Sequence, residues 1–219
     1  MLASSADLGP TQRLAIYDLY FEAMRAGHAG QAIDLDGLDD ALEEATVGGD
    51  GAALIGRVLA VHRLKTAVPA ACLARMGAVA GGGTPDQIAA VGEFFEALGL
   101  AFQIVDDVLN LRGFDGDLKS RGEDVAQGKV TLPVAEAMGR LPADQRAWLA
   151  STLRSRPEEP EVVGAVIALL EGCGALDACR ERAAALVEAG WTRLDAAVES
   201  SLAKIMLRAF GWFVLERHY

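Results

Sequence analysis

Apolar residues recur along this chain at three- and four-residue intervals, with few of the strict alternations that are typical of β-strands. The clearest stretch has apolar positions at steps of four, three, four and three residues: Phe94, Leu98, Ala101, Val105 and Val108. On an α-helix, positions with this spacing share one face. The pattern therefore predicts an all-α protein, and it predicts that these five side chains belong to the core.

Glycine and proline residues divide this pattern into helical segments. We predict helices over residues 11–33, 51–79, 85–111, 131–150, 157–172, 176–200 and 202–217. The connections 34–50 and 111–129 should be non-helical, the second as a lid-like loop. Thr84, Pro85 and Gln87 have the sequence of a capping box, and Pro69 should kink its helix because it lacks a backbone donor. No internal repeat is present, so we predict one helical domain over residues 1–219.

Two adjacent carboxylates, Asp106 and Asp107, interrupt the apolar pattern of the third helix. Burying such charges is unfavourable unless a cation compensates them. Gln103 and Asn110 lie at helical offsets from the aspartates, so the four side chains could share one oxygen-seeking metal ion. The plainer interpretation is solvated surface charge, but the apolar residues on either side of the pair favour a metal site.

Charge and cysteine content limit the classes of partner and compartment. Lys and Arg total 20 against 31 Asp and Glu, without a basic stripe, so nucleic acid is not an expected partner. Three cysteines at no metal-ligand spacing are typical of free thiols in a reducing cytoplasm. No export signal and no transmembrane segment are predicted, because the apolar runs are too short. His28, His62 and His218 share no spacing, and we expect them to be structural or exposed.

Several spaced motifs occur together in one order. Residues 30–35, with the sequence Gly-Gln-Ala-Ile-Asp-Leu, come first, and Lys65 and Thr66 follow. A longer set of polar and glycine positions comes next: Phe102, Gln103, Asp106, Asp107, Gly113, Lys119, Asp124, Gly128, Lys129 and Pro133. Residues 213–217 complete the series. This order resembles the trans-isoprenyl diphosphate synthases of the polyprenyl synthetase family, and it implies an isoprenoid synthase-like helical bundle.

The resemblance also implies a set of roles. Mg²⁺ would be held by Asp106, Asp107 and Asn110, with the two aspartates and Lys65 as the catalytic residues. The diphosphate would be bound by cationic and polar side chains: Lys65, Thr66, Gln103, Lys119 and Lys129. The implied substrates are an allylic diphosphate and isopentenyl diphosphate, and the implied reaction lengthens an isoprenoid chain.

Two departures from the family pattern leave three functions open. Roughly the N-terminal third of the pattern is absent, including an earlier aspartate-rich motif, and Asn110 stands where the family usually has a third aspartate. The first interpretation is a prenyltransferase-like subunit that needs another chain for the missing helices. The others are a non-catalytic or regulatory partner subunit and a terpene cyclase-like enzyme. Because absent helices would leave apolar faces exposed, we expect a homodimer or a heteromer.

Overall fold

The computed structural model describes residues 8–113 and 121–217. Within these ranges the all-α prediction is confirmed, because every regular element is helical. The elements are α1 (Pro10–Asp36), α2 (Asp39–Gly48), α3 (Ala52–His62), a π-helical segment (Arg63–Ala67), α4 (Val68–Ala80), α5 (Pro85–Arg112), α6 (Glu123–Ala126), α7 (Leu132–Met138), α8 (Ala143–Ser155), α9 (Pro160–Gly172), α10 (Ala175–Ala197) and α11 (Leu202–Glu216).

α5 is the central helix, and α10 and α4 pack against it most extensively. The five apolar side chains predicted for its core face are all buried. The predicted capping box at Thr84 is confirmed, because its Oγ1 accepts the N–H of Gln87. α10 can approach closely because it carries a glycine at the crossing: a Cβ on Gly190 would lie 3.0 Å from the Ala97 Cβ. α1 packs on α4 and forms a second, smaller apolar cluster with it.

By length and composition alone, α5 could cross a membrane, and so could α9 and α10 if they are taken together as one bent span. This is weak evidence, because the core helix of a soluble protein meets the same criteria. α5 has the position of a core helix, since α4, α10 and α11 pack around it. The expectation of no transmembrane segment stays a prediction.

A π-helical segment joins α3 to α4 and carries Lys65 and Thr66. The irregularity lies just before Pro69, where a kink was predicted, and the N–H of Val68 reaches five residues back to the carbonyl of Arg63. Two neighbouring helices approach this segment at glycines. A Cβ on Gly30 of α1 would lie 2.3 Å from the backbone N of Lys65. A Cβ on Gly99 of α5 would lie 2.5 Å from a Cα of the segment, so both helices hold it closely.

The predicted secondary structure of three segments was wrong. Residues 34–50 are not all a connection, because α2 forms within them and buries Leu42 completely. Acidic residues in its first turn stabilise α2 by interacting with the helix dipole, and Gly49 ends the helix in a left-handed conformation. The predicted helix 131–150 is divided between α7 and α8 at Gly139 and Pro142. The predicted loop 111–129 contains α6, and its residue Lys119 lies outside the described residues.

The close approach at Gly30 predicts a large loss of stability in the Gly30→Ala variant. The new methyl group would overlap the backbone at Lys65, so we expect the free energy of unfolding to fall by about 2–3 kcal/mol. Gly56→Ala is the matched control, since Gly56 is exposed on α3 and its Cβ would meet nothing within 4 Å. The control should be neutral or stabilising by up to about 1 kcal/mol. Urea titrations followed by circular dichroism measure both free energies of unfolding. Equal changes in Gly30→Ala and Gly56→Ala would contradict this account.

Candidate active site

Asp107 is buried near the C-terminal end of α5, with 3% of its surface exposed. Its Oδ2 accepts a hydrogen bond from the backbone N–H of Leu132, 2.9 Å away in the first turn of α7. His62 Nε2, at the end of α3, lies 3.5 Å from the same oxygen. A single carboxylate therefore meets groups from two other helices.

Burial shifts the pKa values of both side chains towards their neutral forms. Burial raises the pKa of Asp107 to about 7, although the Leu132 N–H and Lys129 oppose this shift. Burial also lowers the pKa of His62 to about 4, and Lys129 acts in the same direction. The 3.5 Å contact is therefore not an ion pair at neutral pH, because His62 is uncharged there.

Asp106 is the more open of the two carboxylates, with a third of its side chain exposed. Its Oδ1 lies 3.6 Å from the guanidinium of Arg217, which follows α11. Arg217 is itself buried, lies over the ring of Phe102 at 3.7 Å from the ring centre, and donates to the Phe102 carbonyl. Asp106 thus combines access to solvent with a neighbouring cation that is held in place.

Two of the predicted lysines are paired with carboxylates. Lys65 Nζ lies 2.6 Å from Asp34 Oδ2, and Lys129 Nζ lies 3.8 Å from Asp124 Oδ1. Burial alone would lower the pKa of Lys129, but surrounding carboxylates raise it overall. These carboxylates are Asp124, Asp107, Asp34 and Asp106. Lys129 is therefore a cation among four acidic side chains from three parts of the chain.

The other predicted site residues have different surroundings. The Oδ1 of Asn110 is engaged within the protein, because it accepts the backbone N–H of Asp124 at 3.1 Å. Gln103 and Thr66 are half-buried, and their side chains bond to no other described residue. Lys119 lies outside the described residues, so its predicted role stays a prediction.

A cavity of about 420 Å³ opens beside the lysines. It lies between the end of α1, the end of α3 and the residues that precede α7, and its size is typical of small-molecule sites. Its charged and ionisable lining side chains are Asp34, Asp36, Asp39, His62, Lys65, Lys129 and Arg156. Lys65 and Lys129 therefore share one concave site.

The residues present fit a magnesium ion that is bound together with a phosphate ligand. Among the described residues, no three His, Cys, Asp or Glu side chains form a complete metal-binding group. Mg²⁺ usually keeps several waters and uses one or two carboxylates together with substrate phosphates, so a complete protein cage is not required. Of the three predicted ligands, only Asp106 has an exposed carboxylate, since Asp107 and Asn110 are buried.

Several residues of this site were not among the predicted site residues, and Asp34, Arg217 and His62 make the contacts described above. Asp34 and Arg217 occur within the quoted motifs, so the order of motifs contained a signal for both. His62 was expected to be structural or exposed, and it is buried. Its position three residues before Lys65 in one helical run is the available signal, but its contact with Asp107 depends on tertiary packing.

Comparison with known proteins identifies the family. The sequence model of the polyprenyl synthetase family matches residues 1–170. The chain belongs to the polyprenyl synthetase family. The resemblance inferred from the motifs is therefore confirmed.

Individual members of the polyprenyl synthetase family are similar over part of their length. A short chain isoprenyl diphosphate synthase of Methanothermobacter thermautotrophicus is 37% identical over 156 residues, which are 71% of this chain and 47% of that protein. A heterodimeric geranylgeranyl pyrophosphate synthase large subunit 2 of Arabidopsis thaliana is 36% identical over 106 residues, 48% of this chain and 26% of that protein. This polyprenyl synthetase chain thus spans about half the length, or less, of these relatives.

A solved polyprenyl synthase of Caulobacter crescentus, complexed with calcium and isoprenyl diphosphate, has the same fold. The TM-score is 0.81 at 25% identity, and the match covers 93% of this chain and 59% of that one. Nearly all of this polyprenyl synthetase chain therefore follows the architecture of a larger family member.

The shifted pKa values predict how stability depends on pH. Between about pH 4 and 6.5 the unfolded state binds a proton at His62 that the folded state does not, so this group lowers stability as pH falls. Between pH 3.8 and about 7 the folded state binds the extra proton at Asp107, so this group raises stability as pH falls. The two contributions offset each other in the wild type.

The Asp107→Asn variant should expose the His62 contribution. Asparagine still offers an acceptor to the Leu132 N–H but does not titrate. Between pH 6.5 and about 4, we expect the variant to lose about 1 kcal/mol of stability per pH unit relative to the wild type. Urea unfolding with EDTA at several pH values measures this slope, and His62→Gln should reverse it. If the stability of all three proteins changed with pH in the same way, the pKa shifts of His62 and Asp107 would be refuted.

Proposed function

We propose that this chain is a prenyltransferase subunit of the polyprenyl diphosphate synthase type. It ionises an allylic diphosphate and joins the resulting cation to isopentenyl diphosphate. Two observations carry the proposal: Lys65 and Lys129 line one cavity, and the partly exposed Asp106 is among the acidic side chains that act electrostatically on Lys129. Membership of the polyprenyl synthetase family supports it, and so does the similarity to the short chain isoprenyl diphosphate synthase of Methanothermobacter thermautotrophicus.

In this reaction the allylic C–O bond breaks and the diphosphate leaves with the electron pair. The double bond of isopentenyl diphosphate then forms the new C–C bond, and loss of a proton restores an alkene. A bound Mg²⁺ would stabilise the charge on the leaving diphosphate as a Lewis acid. Asp106 would hold this ion, Lys65 and Lys129 would bind phosphate oxygens, and Gln103 would orient the diphosphate by hydrogen bonding.

Charge balance supports the dependence on a metal. Four acidic side chains act electrostatically on Lys129, and Lys65 is already paired with one of them, Asp34. A free diphosphate would meet little excess positive charge at this site. A divalent cation bound at Asp106 would change the balance in favour of an anion. We therefore propose that Mg²⁺ and diphosphate bind together, and that neither binds tightly alone.

We also propose that other helices cover this chain in the working enzyme, as a homodimer or as a heteromer. Four large apolar side chains lie at steps of three, four and three residues on α1, each 42–63% exposed: Leu14, Tyr17, Phe21 and Met24. Such spacing is typical of a helix-packing seam, and exposed patches of this kind favour association. The Arabidopsis relative is itself a subunit of a heterodimer. Three free cysteines support a cytoplasmic location.

A second candidate is a non-catalytic partner subunit that keeps the fold as an interaction surface. The engagement of Asn110 by the Asp124 N–H favours it, because this oxygen is then unavailable to a metal. A partner of this kind would not need to bind a metal ion or a diphosphate. A measurement of ligand binding therefore distinguishes the two functions.

Calorimetry with inorganic pyrophosphate tests the first candidate. We expect the wild-type chain to bind pyrophosphate in the presence of Mg²⁺ and much less with EDTA. Asp106→Asn should weaken this binding by about tenfold or more, because a charged metal ligand is lost. Asp144→Asn, an exposed aspartate on α8, is the control and should bind like the wild type. Absence of binding by the wild type would favour the non-catalytic function.

Light scattering tests the proposed association. The wild type should be a dimer or larger, and the double variant Tyr17→Lys, Phe21→Lys should shift towards the monomer, because two charges would have to be buried in the seam. Val47→Lys is the control, since Val47 is an exposed apolar residue on α2, away from the α1 seam. A monomeric wild type would contradict the homodimer and leave only the heteromer.

A further inference from the structure

Arg156 has an unusual backbone conformation at the end of α8. Its φ of 49° places it in the left-handed region, and no other non-glycine residue in the described ranges has a positive φ. This conformation is unfavourable for a residue with a Cβ, and glycine or asparagine is the usual choice at such a helix end. An arginine kept in this conformation suggests that its side chain has a function.

The side chain of Arg156 packs against the segment that carries Lys129. A Cβ on Gly128 would lie 3.0 Å from Arg156 Cγ and 2.5 Å from the carbonyl oxygen of Leu153. The glycine therefore leaves the space through which the arginine stem passes. Arg156 is one of the lining residues of the cavity that contains Lys65 and Lys129. The strained turn thus brings a third cation to the cavity.

Arg156 also differs from the other cations of this cavity in its partners. Lys65 is paired with Asp34, and Lys129 with Asp124. Within residues 8–113 and 121–217, no carboxylate forms a salt bridge with Arg156, although the chain has a net charge of -11. Two residues earlier on the same helix, Arg154 pairs with Glu43 at 2.9 Å. The guanidinium of Arg156 is therefore available to an anion.

Interaction with the helix dipole is the plainer explanation for a cation at the end of α8. This interaction needs only a positive charge in the last turn, and Arg154 already supplies one. It does not require the left-handed backbone, which glycine would adopt without strain. The conformation and the position at the cavity are explained together only if the guanidinium acts in the cavity.

We propose that Arg156 is an additional binding residue for the diphosphate of a substrate. It donates hydrogen bonds to phosphate oxygens on the side of the cavity formed by Gly128 and Lys129. Its planar guanidinium can donate two parallel hydrogen bonds to one phosphate, which a lysine cannot do. The proposal rests on the proposed function, because it assigns a further residue to the same diphosphate.

The test compares Arg156→Gly with Arg156→Lys by calorimetry, with inorganic pyrophosphate and Mg²⁺ as the probe. Arg156→Gly relieves the backbone strain, so its thermal unfolding temperature should equal or exceed that of the wild type. Its affinity for pyrophosphate should nevertheless fall by about tenfold or more, because charge-assisted hydrogen bonds are lost. Arg156→Lys should be intermediate, since it keeps the charge without the two parallel donors.

Arg154→Ala is the matched control, because it removes the same charge from the same helix end without touching the cavity. It should bind pyrophosphate like the wild type. If Arg156→Gly also binds like the wild type, the role of Arg156 is overturned while the proposed function stands. If the control weakens binding as much as Arg156→Gly does, general electrostatics explains the effect and the proposal is wrong. A wild type that does not bind pyrophosphate overturns both.

Discussion

The hydrogen bond between the carboxylate of Asp107 and the backbone N–H of Leu132 is the constraint on which the site depends. It connects the end of the central helix α5 to the start of α7. The accepting oxygen, Asp107 Oδ2, also lies 3.5 Å from His62 Nε2 at the end of α3. A buried carboxyl group without such a partner would be strongly unfavourable. The bond therefore determines where the residues before α7, including Lys129, lie relative to α5.

The two adjacent aspartates have different surroundings as a result. The backbone of α5 turns Asp107 into the protein, where burial raises its pKa to about 7, and leaves Asp106 partly in solvent beside Arg217. Of the two carboxylates, that of Asp106 reaches solvent, whereas that of Asp107 is buried and bonded to the Leu132 N–H. The buried residue connects two helices, and the partly exposed residue is the one that we propose as a metal ligand. This division follows from helical geometry, since neighbouring residues point about 100° apart.

The sequence predicted the long elements better than it predicted tertiary contacts. The core face of α5 could be predicted because its apolar spacing is regular over several turns. α2 was missed because a short acidic segment beside glycines has the composition of a loop, and its helix depends on contacts with α8 and α3. The order of motifs pointed to Lys65 and Lys129, which line one cavity in the structure.

The contact between His62 and Asp107 could not be predicted in the same way. The two residues lie 45 positions apart, and only the packing of α3 against α5 and α7 brings them together. The close approach of α1 to the π-helical segment at Gly30 is also a tertiary feature, although the glycine itself is visible in the motif. Local patterns point to candidate site residues, whereas packing decides which of them remain exposed.

The central claim is that Asp106 and the cavity lined by Lys65 and Lys129 form one site for a divalent cation and a diphosphate. Anomalous diffraction from crystals grown with Mn²⁺ and pyrophosphate tests it most directly, because manganese replaces magnesium and marks its own position. We expect a manganese peak at the Asp106 carboxylate, with pyrophosphate density that reaches both lysines. Ordered pyrophosphate and manganese elsewhere, with Asp106 still paired only with Arg217, would contradict the account.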